Sequence, residues 1–214
     1  MKSPSALIVL IVMLAGTNLW AGGAGSSRKA FGAAIENKID IEIDSLLGLY
    51  KQIHAQPELA FQEEKTAARL AKELRGAGFA VTEKVGGTGV VGVFKNGNGP
   101  TILVRADMDA LPIVEQTGLA YASKMRLRDR DGLDVGVMHA CGHDMNVASL
   151  VGTARVMTHI KDRWKGTLVF IGQPAEEIGA GAKAMLDDGL LTKFPRPDFA
   201  LAKGEQVNRG LGDE

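Results

Sequence analysis

The strongest constraint on this chain is that two apolar, strand-like runs break off into carboxylates. Thr101-Ile102-Leu103-Val104 leads into Arg105-Ala106-Asp107-Met108-Asp109-Ala110-Leu111-Pro112, and Gly166-Thr167-Leu168-Val169-Phe170-Ile171-Gly172 leads into Gln173-Pro174-Ala175-Glu176-Glu177. Short continuous apolar runs bounded by turn residues read as buried strands, and open α/β sheets build their sites just outside the carboxyl ends of such strands. Between the two runs lies Val137-Met138-His139-Ala140-Cys141-Gly142-His143-Asp144-Met145-Asn146, with the only cysteine two residues ahead of a histidine. A thiolate and an imidazole at that spacing can reach one borderline divalent cation, and Asp144 can orient the imidazole from behind.

Helices surround these strands. Ile35, Ile39, Ile43, Leu46, Leu47, Tyr50 and Ile53 recur at three- and four-residue steps, which predicts a long amphipathic helix over 34–53, ended by Pro57. Ala67, Leu70, Ala71 and Leu74 predict a second, packed on the first and closed by Gly76 and Gly78. Two strands follow at 79–83 and 90–94, and the charged stretch 123–137, with Asp131-Gly132 at its centre, predicts an exposed hairpin. Val147, Leu150, Val151, Ala154 and Met157 continue a helical stripe, so Cys141 and His143 fall at a helix start, where the helix dipole favours a thiolate. A short helix at 182–190 and a strand at 197–202 complete an α/β pattern, with a central sheet flanked by helices.

The amino terminus predicts export. Lys2, the apolar run 6–15 and small residues from Ala21 to Ser27 follow the order of a secretory signal, and the run is too short to span a bilayer. We expect a signal peptide over 1–24, a small-residue linker over 25–33 and, from 34 to 214, the amino-terminal part of a larger folded domain, with cleavage after Ala21 or Ala24 and no stable membrane insertion afterwards. In an oxidising compartment a lone cysteine has no intrachain disulfide partner, which favours a chemical job for Cys141. The 25 basic residues balance 25 acidic ones, so nothing points to nucleic acid or an anionic membrane, and the expected partner is a small molecule.

Three segments therefore carry ligand types suited to a divalent metal: Asp107 to Asp109, Cys141 to Asp144, and Glu176-Glu177. Hydrolysis of an unactivated amide needs an activated water, a carboxylate to take its proton and a Lewis acid on the carbonyl oxygen. Adjacent glutamates can divide that labour, one holding metal while the other handles the proton.

These blocks, with Ile53-His54-Ala55-Gln56-Pro57-Glu58-Leu59, resemble the amidohydrolase branch of the aminoacylase/carboxypeptidase metallopeptidases, which includes hippurate hydrolase and the indole-acetyl-amino-acid hydrolases. The resemblance runs from about Leu46 to Leu201. It implies a three-layer zinc-peptidase-like catalytic domain built on a mixed sheet, and cleavage of N-acyl or N-aroyl amino acids or small peptides. It also implies two divalent ions per complete site, of zinc, manganese or cobalt. By that resemblance Cys141, His143 and Glu177 match metal ligands and Glu176 matches the general base, while Asp107, Asp109, His139 and Asp144 match supporting or structural positions.

The chain departs from the pattern in two ways. Asn146 stands where the block usually continues to a histidine, and no histidine follows His159, although the resemblance places a ligand soon after Phe199-Ala200-Leu201. The family's α+β satellite domain, through which full-length members dimerise, and its returning catalytic half have no counterpart here, so the catalytic domain is expected to be incomplete. A second expectation follows, an inactive fragment or pseudoenzyme with residual metal binding, in which the chain alone turns over amides weakly or not at all.

Overall fold

The computed structural model describes residues 24–202, with side chains from residue 31. Of the signal segment expected over 1–24, residues 1–23 lie outside the described residues. The elements are α1 (Ala24–His54), α2 (Glu64–Gly76), β1 (Ala80–Val85), β2 (Gly89–Asn96), β3 (Thr101–Asp107), β4 (Arg126–Arg128), β5 (Asp134–Gly136), α3 (His143–His159), β6 (Gly166–Gln173), α4 (Gly181–Asp187), α5 (Leu190–Lys193) and β7 (Phe199–Ala202).

Five strands form one mixed sheet in the order β1-β2-β6-β3-β7. The first three pair antiparallel, and β3 runs parallel to both β6 and β7. Pairing sets Asp107 opposite Gln173, so β3 and β6 end together and their carboxylate-bearing continuations leave the sheet side by side. Alternation along the strands makes three layers. Ile102, Val104 and Ala106 of β3, with Leu168 and Phe170 of β6, join the core under α1, α2 and α3. Leu103, Val169 and Ile171 face the opposite way, against Met185 of α4 and Leu190 of α5.

Helix α3 is buried nearly all round, from Val147 to Met157, because the sheet covers one side and α1 the other. This corrects the expected pairing of the first two helices, since α1 lies chiefly on α3. The linker expected over 25–33 is also corrected, for α1 already begins at Ala24. Arg28, Lys29, Ala30 and Ala33 are strong helix formers, and Ile35 and Ile39 anchor the helix in the core, so it propagates back through the small residues. The hairpin at 123–137 is present as β4 and β5, and the helix expected over 182–190 divides into α4 and α5. Among the described residues no helix is long and apolar enough to cross a membrane.

Candidate metal centre

Gly142 adopts a left-handed backbone (φ 74°) immediately before α3. That conformation is costly for a residue with a Cβ, and it turns the chain so that Cys141 sits in the bend while His143 opens the helix. His143 is buried, and its Nδ1 lies 2.8 Å from the main-chain carbonyl of Asp109. A carbonyl oxygen can only accept, so Nδ1 carries a hydrogen, and Nε2 is the nitrogen a metal would take once it displaces the proton there.

Beside the imidazole stand the two glutamates that follow β6. Glu176 Oε2 lies 3.7 Å from Nε2 and Glu177 Oε1 lies 3.9 Å from Nδ1. One donor atom from each of His143, Glu176 and Glu177 lies within 4.8 Å of the others, the span that separate ligands of one small cation occupy. Glu177 Oε1 is buried and accepts no hydrogen bond, while the Glu176 side chain is 40% exposed. The sheltered carboxylate therefore suits a ligand and the open one suits proton exchange with a bound water. The donor set fits a divalent metal.

Asp109 organises the trio. Besides its carbonyl contact with His143, its carboxylate accepts the main-chain N–H groups of Glu176 (3.1 Å) and Glu177 (3.0 Å). Burial pushes the Asp109 carboxyl up, but these hydrogen bonds and the nearby His143 outweigh it and hold the group below its ordinary value. Burial likewise works against a charged His143, yet the hydrogen bonds to Asp109 and the charges of Asp107 and Asp109 raise it to about 9.

The other expected residues are placed differently. Asp107, at the end of β3, is held by Arg105, whose Nε donates at 2.7 Å; burial raises its carboxyl despite that cation. Cys141 is half-buried in the bend, two residues from His143, and the structure does not bring it into the trio. His139 is buried with neither ring nitrogen hydrogen-bonded, and burial lowers it to about 4, so it is a neutral packing residue. Asp144 turns away from the trio to His54, whose Nδ1 lies 2.6 Å from Asp144 Oδ2 and whose Nε2 lies 3.1 Å from Glu115. Asn146 is buried on the first turns of α3 with its Nδ2 unpartnered.

Sequence reasoning gave no role to His54, Glu115 or Glu63. His54 does stand in the His-Ala-Gln-Pro-Glu block, and a histidine ahead of a helix-ending proline was the available signal. Glu63, wholly buried, accepts the N–H of Ala175 at 2.8 Å from 112 positions away.

Residues 103–210 match the peptidase family M20/M25/M40. The chain is similar to the hippurate hydrolase of Campylobacter jejuni, 47% identical over 67% of this chain and 35% of that protein. It is 42% identical to an N-acetylcysteine deacetylase of Bacillus subtilis over 68% of this chain and 37% of that protein. Among solved structures it resembles the Bacillus subtilis YXEP protein, described as a dinuclear metal-binding peptidase, with a TM-score of 0.67 and 36% identity over 77% of this chain and 43% of that one. The chain spans between 32% and 45% of the length of the curated relatives it matches. By this match, and by a mixed sheet that ends in the blocks carrying His143, Glu176 and Glu177, the chain belongs to the M20/M25/M40 peptidase family.

Proposed function

We propose that this chain acts as a metal-dependent amidohydrolase on N-acyl or N-aroyl amino acids. The observation that carries the reading is the convergence of His143, Glu176 and Glu177 at the shared ends of β3 and β6, with donor atoms within 4.8 Å. His143 through Nε2 and Glu177 through Oε1 would hold metal, joined by Cys141 once its side chain turns from the bend toward them. A divalent ion supplies a Lewis acid for the substrate carbonyl and makes a water nucleophilic near neutral pH. Glu176 takes the proton of the attacking water as oxygen adds to the carbonyl carbon. It then delivers that proton to the amine nitrogen as the carbon–nitrogen bond breaks. Similarity to hippurate hydrolase and to an N-acetylcysteine deacetylase supports acylated amino acids as the substrate class.

The test is hydrolysis of a small panel of acyl and aroyl amino acids by metal-loaded protein, beside a Glu176→Gln variant. Glu176-dependent turnover supports the reading. Metal binding without turnover supports the second reading, a pseudoenzyme or inactive fragment. That reading is favoured by Asn146, an amide that cannot replace an imidazole and whose buried Nδ2 has no partner. Export of the mature chain is part of the proposal, on the strength of Lys2, the apolar run 6–15 and the small residues after it.

A further inference from the structure

Three consecutive main-chain amides, those of Ala175, Glu176 and Glu177, are held by two buried carboxylates. Asp109 takes the last two. The first goes to Glu63, a residue of the loop ahead of α2 with no fractional exposure. Glu63 Oε1 accepts from Ala175 at 2.8 Å and from Phe61 at 2.9 Å, and Thr88 donates its hydroxyl to Oε2. Burial holds the Glu63 carboxyl above its ordinary value although these donors oppose it, and hydrogen bonds are what hold the group in place.

The two residues that donate to Oε1 share a backbone peculiarity. Phe61 (φ 61°) and Ala175 (φ 49°) are both left-handed without being glycine. Such residues persist only where their surroundings over-determine them. At Ala175 the left-handed conformation swings the chain from the end of β6 into the turn that carries the glutamates. Beyond it the Ala175 carbonyl accepts the N–H groups of Ala180 and Gly181 at 3.1 Å. The turn is tight enough that a Cβ on Gly181 would stand 1.5 Å from the Pro174 carbonyl oxygen.

We propose that Glu63 is a positioning residue for the metal centre. By clamping the N–H of Ala175 it holds that residue left-handed and so aims Glu176 and Glu177 at His143. The inference rests on the proposed metal site, since aim matters only if the trio binds something. The Glu63 carboxylate bonds to Ala175, Phe61 and Thr88, and it acts on the trio through the Ala175 backbone. A glutamine at this position can still accept both N–H groups through its carbonyl oxygen, with the Thr88 hydroxyl reversed to accept from its amide. An alanine removes the clamp.

The test is Co2+ titration of the parent, Glu63→Gln and Glu63→Ala chains, read by visible absorption and calorimetry well below each melting temperature. Hydrogen exchange at the Ala175 amide is followed in parallel. Glu63→Ala should keep its far-ultraviolet circular dichroism, lose protection at Ala175 and bind Co2+ about tenfold or more weakly, as removal of outer partners of metal ligands typically does. Glu63→Gln should restore both protection and most of the affinity. If the parent binds no Co2+, the proposed metal site fails and takes this inference with it. If the parent binds and Glu63→Ala matches it in affinity and spectrum, the positioning role alone is overturned. Should Glu63→Ala not fold, Glu63→Gln decides, because a weakening in that folded variant as large as removal of the clamp predicts would contradict a clamp made by an acceptor oxygen.

Discussion

Asp109 meets His143 with its main-chain carbonyl and faces it again with its carboxylate, at 2.8 Å and 3.5 Å from the same Nδ1. The first contact fixes which ring nitrogen is left for a ligand. The second brings to that nitrogen the carboxylate that also holds the amides of Glu176 and Glu177. One residue therefore sets imidazole and carboxylates relative to each other.

Replacing Asp109 by alanine should be costly on both counts. Two partly buried N–H groups lose their acceptor, worth on the order of 1–2 kcal/mol of stability, and metal affinity should fall about tenfold or more. Denaturant unfolding and Zn2+ titration of the variant measure the two effects. A variant as stable and as metal-avid as the parent would show that Asp109 is a bystander.

Much of this arrangement is legible in the sequence because it is local. Apolar runs ending in Asp107 and Gln173 mark the strand ends, and Gly142 before His143 marks a turn into a helix. What is not legible depends on pairing between distant segments. Glu63 reads as one more acid in Gln62-Glu63-Glu64 ahead of a helix, and nothing local says that its partner lies 112 residues on. His54 is alike in this, since its partners Asp144 and Glu115 lie 90 and 61 residues away. The helical start of α1 was hidden for another reason. Its glycines and serines resemble a linker, and only the packing of Ile35 and Ile39 further along makes helix the better state.

His54 should make stability depend on pH. Burial disfavours its charged form, but the hydrogen bonds and charges of Glu115 and Asp144 outweigh that and raise the group above its ordinary value. A raised folded-state value means that the stabilisation is fully present below about pH 6.5, the unfolded value, and is lost as pH climbs through the folded one. The melting temperature of the parent should therefore exceed that of His54→Gln most at mildly acid pH, with the gap narrowing toward alkaline pH onto a constant packing difference. A gap that widens with pH would contradict the assignment.

Cys141 should change reactivity with metal. Its side chain stands outside the trio in the structure, so metal should draw it in. Thiol titration should be slow in metal-loaded protein and faster once a chelator is added, and Cys141→Ser should weaken binding. Equal reactivity with and without chelator would remove Cys141 from the ligand set.

Export predicts that the mature chain in a periplasmic or extracellular fraction begins near Gly22 or Gly25, which mass spectrometry of the amino-terminal peptide reads directly. Recovery of full-length protein from the cytoplasm alone would count against it.

The central claim is that Glu177 holds metal while Glu176 stays free to move a proton. Co2+ titration of the parent beside Glu177→Gln and Glu176→Gln tests it most directly. The parent should bind saturably, Glu177→Gln should lose about tenfold or more in affinity, and Glu176→Gln should change much less. Failure of the parent to bind, or equal losses in the two variants, would contradict it.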